Sequence, residues 1–321
     1  MKKLLTLLLA ATLTLSLYGC SGGANDKLKI GIVQPMDHPS LNEIRDTIVS
    51  ELAAQGYDDS NTEIILKNGN GDASVLPSIF NGLISDGVDI LVPIATGSAQ
   101  VAASATTEIP IVFSAVSNPI EAGLVESFDK TDKNITGVSN SIAVEDIFAL
   151  AQKLTPDAKT FGFIYNTGEI NSTVGIERAK EYCDANGLSY KEATIAGTAD
   201  LQQAVASIAN DVDAFFTPND NTVASAMPTY VQLATDAGKP IYCGADSMVK
   251  DGGFATVGID YTVLGKQTAA MVVRVIKGEK ISDIPVEAIS EYANMINVKT
   301  AEALNIPISD DVKSTFVLFG E

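Results

Sequence analysis

Apolar residues along this chain recur at two alternating spacings. Lys29-Ile30-Gly31-Ile32-Val33 is a short, nearly continuous apolar run. Residues 41–55 follow with Leu41, Ile44, Ile48 and Leu52 at helical spacing, up to Gly56. The first pattern predicts a strand buried on both faces, and the second a helix ended by glycine. Further strand-like runs stand at residues 63–66, 90–94, 109–113, 161–165, 190–193, 214–217 and 240–243, with helical stretches between them. Strands alternating with helices predict an α/β fold with parallel sheets covered on both faces.

The same pattern repeats at long period. Ile30-Gly31-Ile32-Val33, a polar loop and a helix ending at Gly56 are echoed by Phe161-Gly162-Phe163-Ile164-Tyr165, a polar loop and a helix ending at Gly187. Val88-Asp89-Ile90-Leu91-Val92-Pro93 is echoed by Val212-Asp213-Ala214-Phe215-Phe216-Thr217-Pro218, and Ile109-Pro110-Ile111-Val112 by Lys239-Pro240-Ile241-Tyr242. Gly123 and Gly253 each stand 13 residues past the proline of the last pair. Four correspondences in one order predict two halves of like topology. Gly258-Ile259-Asp260-Tyr261 then leads into a further helix over residues 262–277 and a long tail, so the chain is expected to cross between the halves more than once. The predicted organisation is a first lobe of residues 28–140 plus about 260–284, and a second of 141–259 plus about 285–321. Several crossovers make a hinge that permits closure.

The N-terminus fixes the expected compartment. Lys2 and Lys3 precede an uncharged run over residues 4–17, long enough for a signal segment and too short to span a bilayer. Residues 1–19 are read as a signal peptide. The segment Leu17-Tyr18-Gly19-Cys20 resembles a bacterial lipobox, with Tyr18 where a small residue is usual, and residues 20–27 form a small, polar tether. Cys20 is therefore the expected lipidation site and the extracytoplasmic face of the cell membrane the expected location; the alternative is a plain signal peptide whose cysteine is coincidental. The net charge of −19 disfavours nucleic acid and anionic lipid as partners. Cys183 and Cys243 are expected as buried thiols, a disulfide being the alternative in an oxidising compartment.

In such sheets, ligands bind at loops that follow the carboxyl ends of strands. The repeat locates those loops at residues 34–40, 95–100 and 114–119 in the first half and 166–172, 219–222 and 244–247 in the second. They are rich in hydroxyls, amides and carboxylates and lead into helices, whose N-terminal amides face the same space. Candidate ligand contacts are Met36, His38, Thr96, Ser98, Ser117, Asn118, Tyr165, Glu169, Asn171, Ser172, Asn219, Asp220, Asp246 and, from the later helix, Tyr261. Helix capping is the alternative for Ser98, Ser117, Ser172, Thr222, Asp220 and Asp246, and simple exposure for His38, the chain's one histidine.

Several of these segments together resemble the ABC transporter substrate-binding family that includes tryptophan-binding and other aromatic amino-acid-binding lipoproteins. They are Ala95-Thr96-Gly97-Ser98-Ala99-Gln100, Ser117-Asn118-Pro119 through Ala122-Gly123-Leu124, and Tyr165-Asn166 with Glu169 and Asn171-Ser172. Asn219-Asp220-Asn221, Gly244-Ala245-Asp246-Ser247 and Gly258-Ile259-Asp260-Tyr261 through Gly265 complete the set. The resemblance runs from Lys29 to about Ile289. It implies a type I periplasmic binding fold of two Rossmann-like lobes, ligand held between them, ABC permease subunits as membrane partners, and an aromatic or apolar amino acid as a common ligand.

The residues point the same way on separate grounds. The three arginines, Arg45, Arg178 and Arg274, all fall in helical stretches outside the six loops, which argues against a guanidinium clamp on a dicarboxylate or phosphate. A single carboxylate could be held by Thr96, Ser98 and the Asn171-Ser172 turn, an ammonium group by Asp220 or Asp246, and an apolar side chain by Met36, His38, Tyr165 and Tyr261. The chain has no tryptophan, so indole stacking on a sugar is absent. With one histidine, three cysteines and no metal-spaced cluster, the expectation is a monomeric binding protein without cofactor or metal, and not an enzyme. The alternatives are a sensor that presents its ligand to a membrane receptor, a neutral ligand such as a nucleobase, a repressor's effector domain and a hydrolase.

Overall fold

A computed structural model describes residues 27–129, 131 and 133–320; Cys20, the signal segment and most of the tether lie outside the described residues. The apolar runs become β1 (Leu28–Gln34), β2 (Thr62–Asn68), β3 (Ile90–Pro93), β4 (Ile111–Val116) and β5 (Ile135–Ser139) in the first half. In the second half they become β6 (Thr160–Asn166), β7 (Ser189–Ile195), β8 (Ala214–Thr217), β9 (Ile241–Cys243) and β10 (Ala255–Ile259), and β11 (Glu287–Ala288), β12 (Tyr292–Asn297) and β13 (Val317–Phe319) follow. Between them run α1 (Pro39–Ala54), α2 (Leu76–Ser85), α3 (Thr96–Ala105), α4 (Val144–Leu154), α5 (Ile170–Asn186), α6 (Leu201–Ile208), α7 (Asn221–Ser225), α8 (Met227–Asp236), α9 (Asp246–Lys250) and α10 (Tyr261–Ile276).

The strands form two sheets, ordered β11-β5-β4-β3-β1-β2 and β13-β12-β10-β9-β8-β6-β7. Stripped of the last three strands, both have the same order, so the sequence repeat is a repeat of topology. Neighbouring strands pair in parallel except β10 with β12, which is antiparallel. The central strands are buried along their whole length: β3, β4 and β8 have no exposed position. In α1 the periodic Leu41, Ile44, Ile48 and Leu52 are all buried, as the spacing predicts. Cys183 and Cys243 are buried free thiols, with the Cys183 pKa pushed up to about 12 by burial.

The chain crosses between the sheets after β5, after β10 and after β11. On its second passage α10 packs on α1, where Gly265 allows a close approach: a Cβ there would stand 2.7 Å from that of Thr47. Hydroxyl bonds tie the returning segment to the first lobe, Thr268 to Ser114 at 2.8 Å and Thr136 donating to the Ile284 carbonyl at 2.9 Å. Because β11 pairs with β5 through Ala288, the chain stays in the first sheet a few residues past the expected boundary at about 284. No helix among the described residues is long and apolar enough to cross a membrane.

Candidate functional site

The carboxyl ends of both sheets face one another across a cavity of about 940 Å3. The first lobe lines it with Pro35, Met36 and Asp37 after β1, Asn70 and Gly71 after β2, and Ala95, Gly97 and Gln100 at the start of α3. The second contributes Asn166 to Asn171 after β6, Ala196 to Thr198 after β7, and Asn221, Thr222 and Ser225 of α7. The lining mixes amides, hydroxyls and the carboxylates of Asp37 and Glu169 with Leu76, Ile170 and small apolar groups, and holds no lysine, arginine or histidine. Ala95 sits at φ 73° and Ala115, the extra residue of the β4 bulge, at φ 59°. These are left-handed conformations that a non-glycine residue keeps only where its surroundings enforce them.

Around the cavity the lobes meet through a polar seam. His38 Nε2 bonds Asn221 Oδ1 at 3.2 Å, Ser40 meets Ser247 at 2.6 Å, Asn219 Nδ2 donates to Ser117 Oγ at 2.9 Å, and Lys250 faces Glu43 at 3.8 Å. Tyr261 is buried beneath this seam with its hydroxyl bonded to Ser40 and Asn140, and burial raises its pKa. These contacts describe closed lobes. Three buried polar atoms of seam and loop residues, His38 Nδ1, Thr96 Oγ1 and Asn219 Oδ1, have no hydrogen-bond partner among the described residues. A buried polar atom left so costs about 1–3 kcal/mol, which marks this region as built for something other than stability.

The candidate residues separate into groups. Met36, Glu169 and Asn171 line the large cavity; Thr96 lies between two residues that do; His38 closes the seam beside it. Glu169 accepts from the backbone N–H of Asn221 and Thr222 and from their side chains, as well as from Asn171, so it fastens the start of α7 to the start of α5. Ser117, Asn118, Asn171 and Asn219 line a second, smaller pocket of about 290 Å3 between the lobes.

Other candidates are placed elsewhere. Tyr165 does not wall the cavity: side chains alternate along β6, and its hydroxyl donates to Glu192 of β7 at 2.8 Å. Ser98 is fully buried and donates to the Val33 carbonyl at 3.2 Å. Neither expected ammonium partner is free. Asp220 caps α7, accepting from the N–H groups of Val223 and Asn166 and from the Ser172 hydroxyl. Its burial and the nearby Glu169 carboxylate push its pKa up to about 7. Asp246 accepts from Lys250 Nζ at 2.6 Å and faces a different pocket, shared with Glu43 and Asp260.

The lining residues that the reading of the sequence missed follow the edge strands β2 and β7. Both strands were visible as apolar runs, and the glycines and asparagines after them signal loops at the same sheet ends. Gln100 lay within a predicted loop and Asn70 outside any.

The family model described as ABC transporter substrate binding protein matches residues 29–316. A tyrosine-binding protein of Clostridioides difficile (strain R20291) is 34% identical over 320 residues, covering 95% of this chain and 93% of that protein. A Streptococcus pneumoniae ABC domain in complex with L-Trp superposes with a TM-score of 0.88 at 38% identity, over 91% of this chain and 99% of the other. A ligand-free, open structure of a substrate-binding protein with adhesive properties from Clostridium difficile superposes with a TM-score of 0.70 at 34% identity, over 90% and 98%. The lower score against the open structure accords with the closed seam described above.

Proposed function

We propose, from the premise that this chain belongs to the ABC transporter substrate-binding protein family, that it captures an aromatic or other apolar amino acid between its lobes outside the cytoplasm. Proteins of this kind bind a ligand rather than convert it. The observation that carries the proposal is the interlobe cavity, whose lining combines apolar surface with amides, hydroxyls and two carboxylates but no basic side chain. Such a lining disfavours a dicarboxylate or phosphate and suits a zwitterion, whose carboxylate can be held by the unpaired first-turn amides of α3. The relatives named for tyrosine binding and solved with tryptophan support the same ligand class.

Ligand bound between lobes favours closure to the extent that it binds the closed state better than the open one. In this proposal the closed form is what an ABC permease accepts for import. Cys20 carries acyl chains that hold the protein at the membrane surface, each buried methylene contributing about 0.8 kcal/mol.

Thermal unfolding of the tether-free protein against amino acids, nucleobases and sugars tests the ligand class. An aromatic or apolar amino acid at a hundred times its dissociation constant should add about 2.7 kcal/mol of stability, and should be recovered chemically unchanged by mass spectrometry. Stabilisation by a nucleobase or a sugar alone would overturn the amino-acid reading. For the anchor, labelled fatty acid should enter the wild-type protein and be absent from Cys20→Ser, which should be released from the membrane. Equal labelling of the two would place the lipid elsewhere than Cys20, and labelling of neither would leave a secreted protein without a lipid.

A further inference from the structure

The large cavity is lined by two carboxylates, and they differ in how much of each is left for a ligand. Glu169 is fully engaged by the protein. Its Oε1 accepts from the Thr222 N–H at 2.9 Å and the Thr222 hydroxyl at 2.8 Å. Its Oε2 accepts from the Asn221 N–H at 3.0 Å, the Asn221 side-chain amide at 2.6 Å and Asn171 Nδ2 at 3.2 Å. Five donors thus meet a group with about four lone-pair sites, and no acceptor site remains for another.

Asp37 is the opposite case. Its Oδ1 is held by Nε2 of the buried Gln34 at 2.9 Å, while its Oδ2 has no partner among the described residues. Arg45 Nη1 stands 3.9 Å from Oδ1, but the guanidinium has nearer partners in Asp46 at 2.8 Å, Gln34 at 3.1 Å and Asn42 at 3.2 Å. The Asp37 side chain is 62% exposed and borders the cavity, so its carboxylate is open to a ligand seated there.

The place of Asp37 in the fold matters as much as its charge. β1 and β3 pair in register as far as Val33 opposite Pro93, and the Ile94 N–H donates to the Val33 carbonyl at 2.8 Å. The loop that carries Asp37 and the start of α3 therefore leave neighbouring strands, about 4.8 Å apart, at the same end of the sheet. Asp37 and Gly97 of α3 both line the cavity. An α-amino acid carries its ammonium and carboxylate groups on one carbon, so their anchors must stand side by side. Asp37 beside the first turn of α3 meets that condition, and Asp246, which faces a different pocket, does not.

Resting on the amino-acid reading above, we infer that Asp37 receives the ligand's ammonium group on Oδ2 and selects amino acids over the matching acids that lack the amino group. Both charged ends of the ligand are then held by the first lobe, and its side chain is left to the rest of the cavity, where Leu76 and Ile170 supply apolar surface. A ligand without the amino group covers the Asp37 carboxylate and leaves it unpaired, which is the basis of the selection.

Calorimetric titration with two matched pairs tests this: L-tyrosine against desaminotyrosine, and L-tryptophan against indolepropionate. In the pair that binds, the wild type should take the amino acid about ten- to a hundredfold more tightly than its partner, the range of a hydrogen bond to a charged group. Asp37→Asn keeps the shape and removes the charge. In this variant the ratio should fall to within about threefold, through weaker amino-acid binding and with an unchanged circular-dichroism spectrum. A wild type without the preference, a ratio that survives Asp37→Asn, or an equal loss for both members of the pair would each overturn the assignment while leaving amino-acid binding in place. Collapse of the ratio in Glu169→Gln but not in Asp37→Asn would also overturn it and would move the ammonium group to the second lobe. Binding of neither amino acid to the wild type would overturn the amino-acid reading itself.

Discussion

Ligand affinity is expected to fall on acidification, by up to about tenfold per pH unit near pH 5 and by roughly 80-fold in all between about pH 6.5 and 4, because closure buries the only histidine. His38 is 5% exposed in the closed seam, and burial lowers its pKa from 6.5 to about 4. The groups facing it are Asn221 of α7, Glu169 at the start of α5 and Asp37 of its own loop, and they offset the burial only in part. With the lobes apart the ring meets water and regains its ordinary pKa, so protons bind the open form preferentially below pH 6.5. Each pKa unit corresponds to about 1.4 kcal/mol.

The less compact state binds more protons in this window, so the contribution is complete above pH 6.5 and is lost as pH falls to about 4. Asp220 acts in the opposite sense on folding. Its raised pKa, about 7, means that the native state takes up a proton the unfolded chain does not, and stability from this group falls as pH rises from about 4 to 7. Its partners Asn166, Val223 and Ser172 all belong to the second lobe, so its titration is tied to folding and not to closure. Calorimetry with tyrosine or tryptophan from pH 4 to 7.5 should show the loss in wild type and a nearly flat profile in His38→Gln. An equally steep profile in the variant would remove His38 from the closure equilibrium.

The second large effect is expected at Gly137. This residue lies opposite Phe113 in the β4–β5 register, and a Cβ added there would stand 2.2 Å from the Phe113 carbonyl oxygen and 2.4 Å from its ring. Neither neighbour can retreat, since the carbonyl belongs to a central strand and Phe113 is fully buried. Overpacking of a core costs about 1–3 kcal/mol, and more where backbone must move, so Gly137→Ala should lose about 3 kcal/mol or more of a total near 5–15. Gly82 is the control. It lies in α2 with nothing within 4 Å of an added Cβ, so Gly82→Ala should gain about 0.5–1 kcal/mol. Urea midpoints of the two variants should move in opposite directions. A Gly137→Ala midpoint within error of wild type would mean that the sheet accommodates the methyl group.

The same two strands show where sequence and structure part. The apolar runs announced β1 to β4 and β6 to β9, and the repeat announced two halves and the binding edge between them. β5 and β10 were not announced. Ile135-Thr136-Gly137-Val138-Ser139 and Ala255-Thr256-Val257-Gly258-Ile259 each carry a glycine and interior hydroxyls. Glycine weakens a strand pattern, although here it is present because a neighbouring backbone or side chain comes close. In the site, the loops were legible but the directions of their side chains were not. Which face of β6 Tyr165 occupies depends on register with β7, a nonlocal fact. Asp246 differs: Lys250 stands four residues on, a spacing that pairs charges on a helix, so that commitment could have been read.

The passage of α10 back onto α1 bears on how the chain comes to be folded at all. The first lobe's helix layer is completed by contacts as distant in sequence as Thr262 to Glu43, 219 residues apart. A polypeptide made from its N-terminus thus has five of the seven strands of the second sheet in hand before the first lobe can finish, and any nascent chain shorter than α10 leaves α1 without its covering helix. Loop closure over such separations slows folding, and the exposed apolar surface invites aggregation meanwhile. Fragments cut at the apparent midpoint, near residue 140, would carry five strands of the first sheet and still lack the helix that seals it. Separate expression of the lobes should therefore join residues 260–288 to the first through a designed linker.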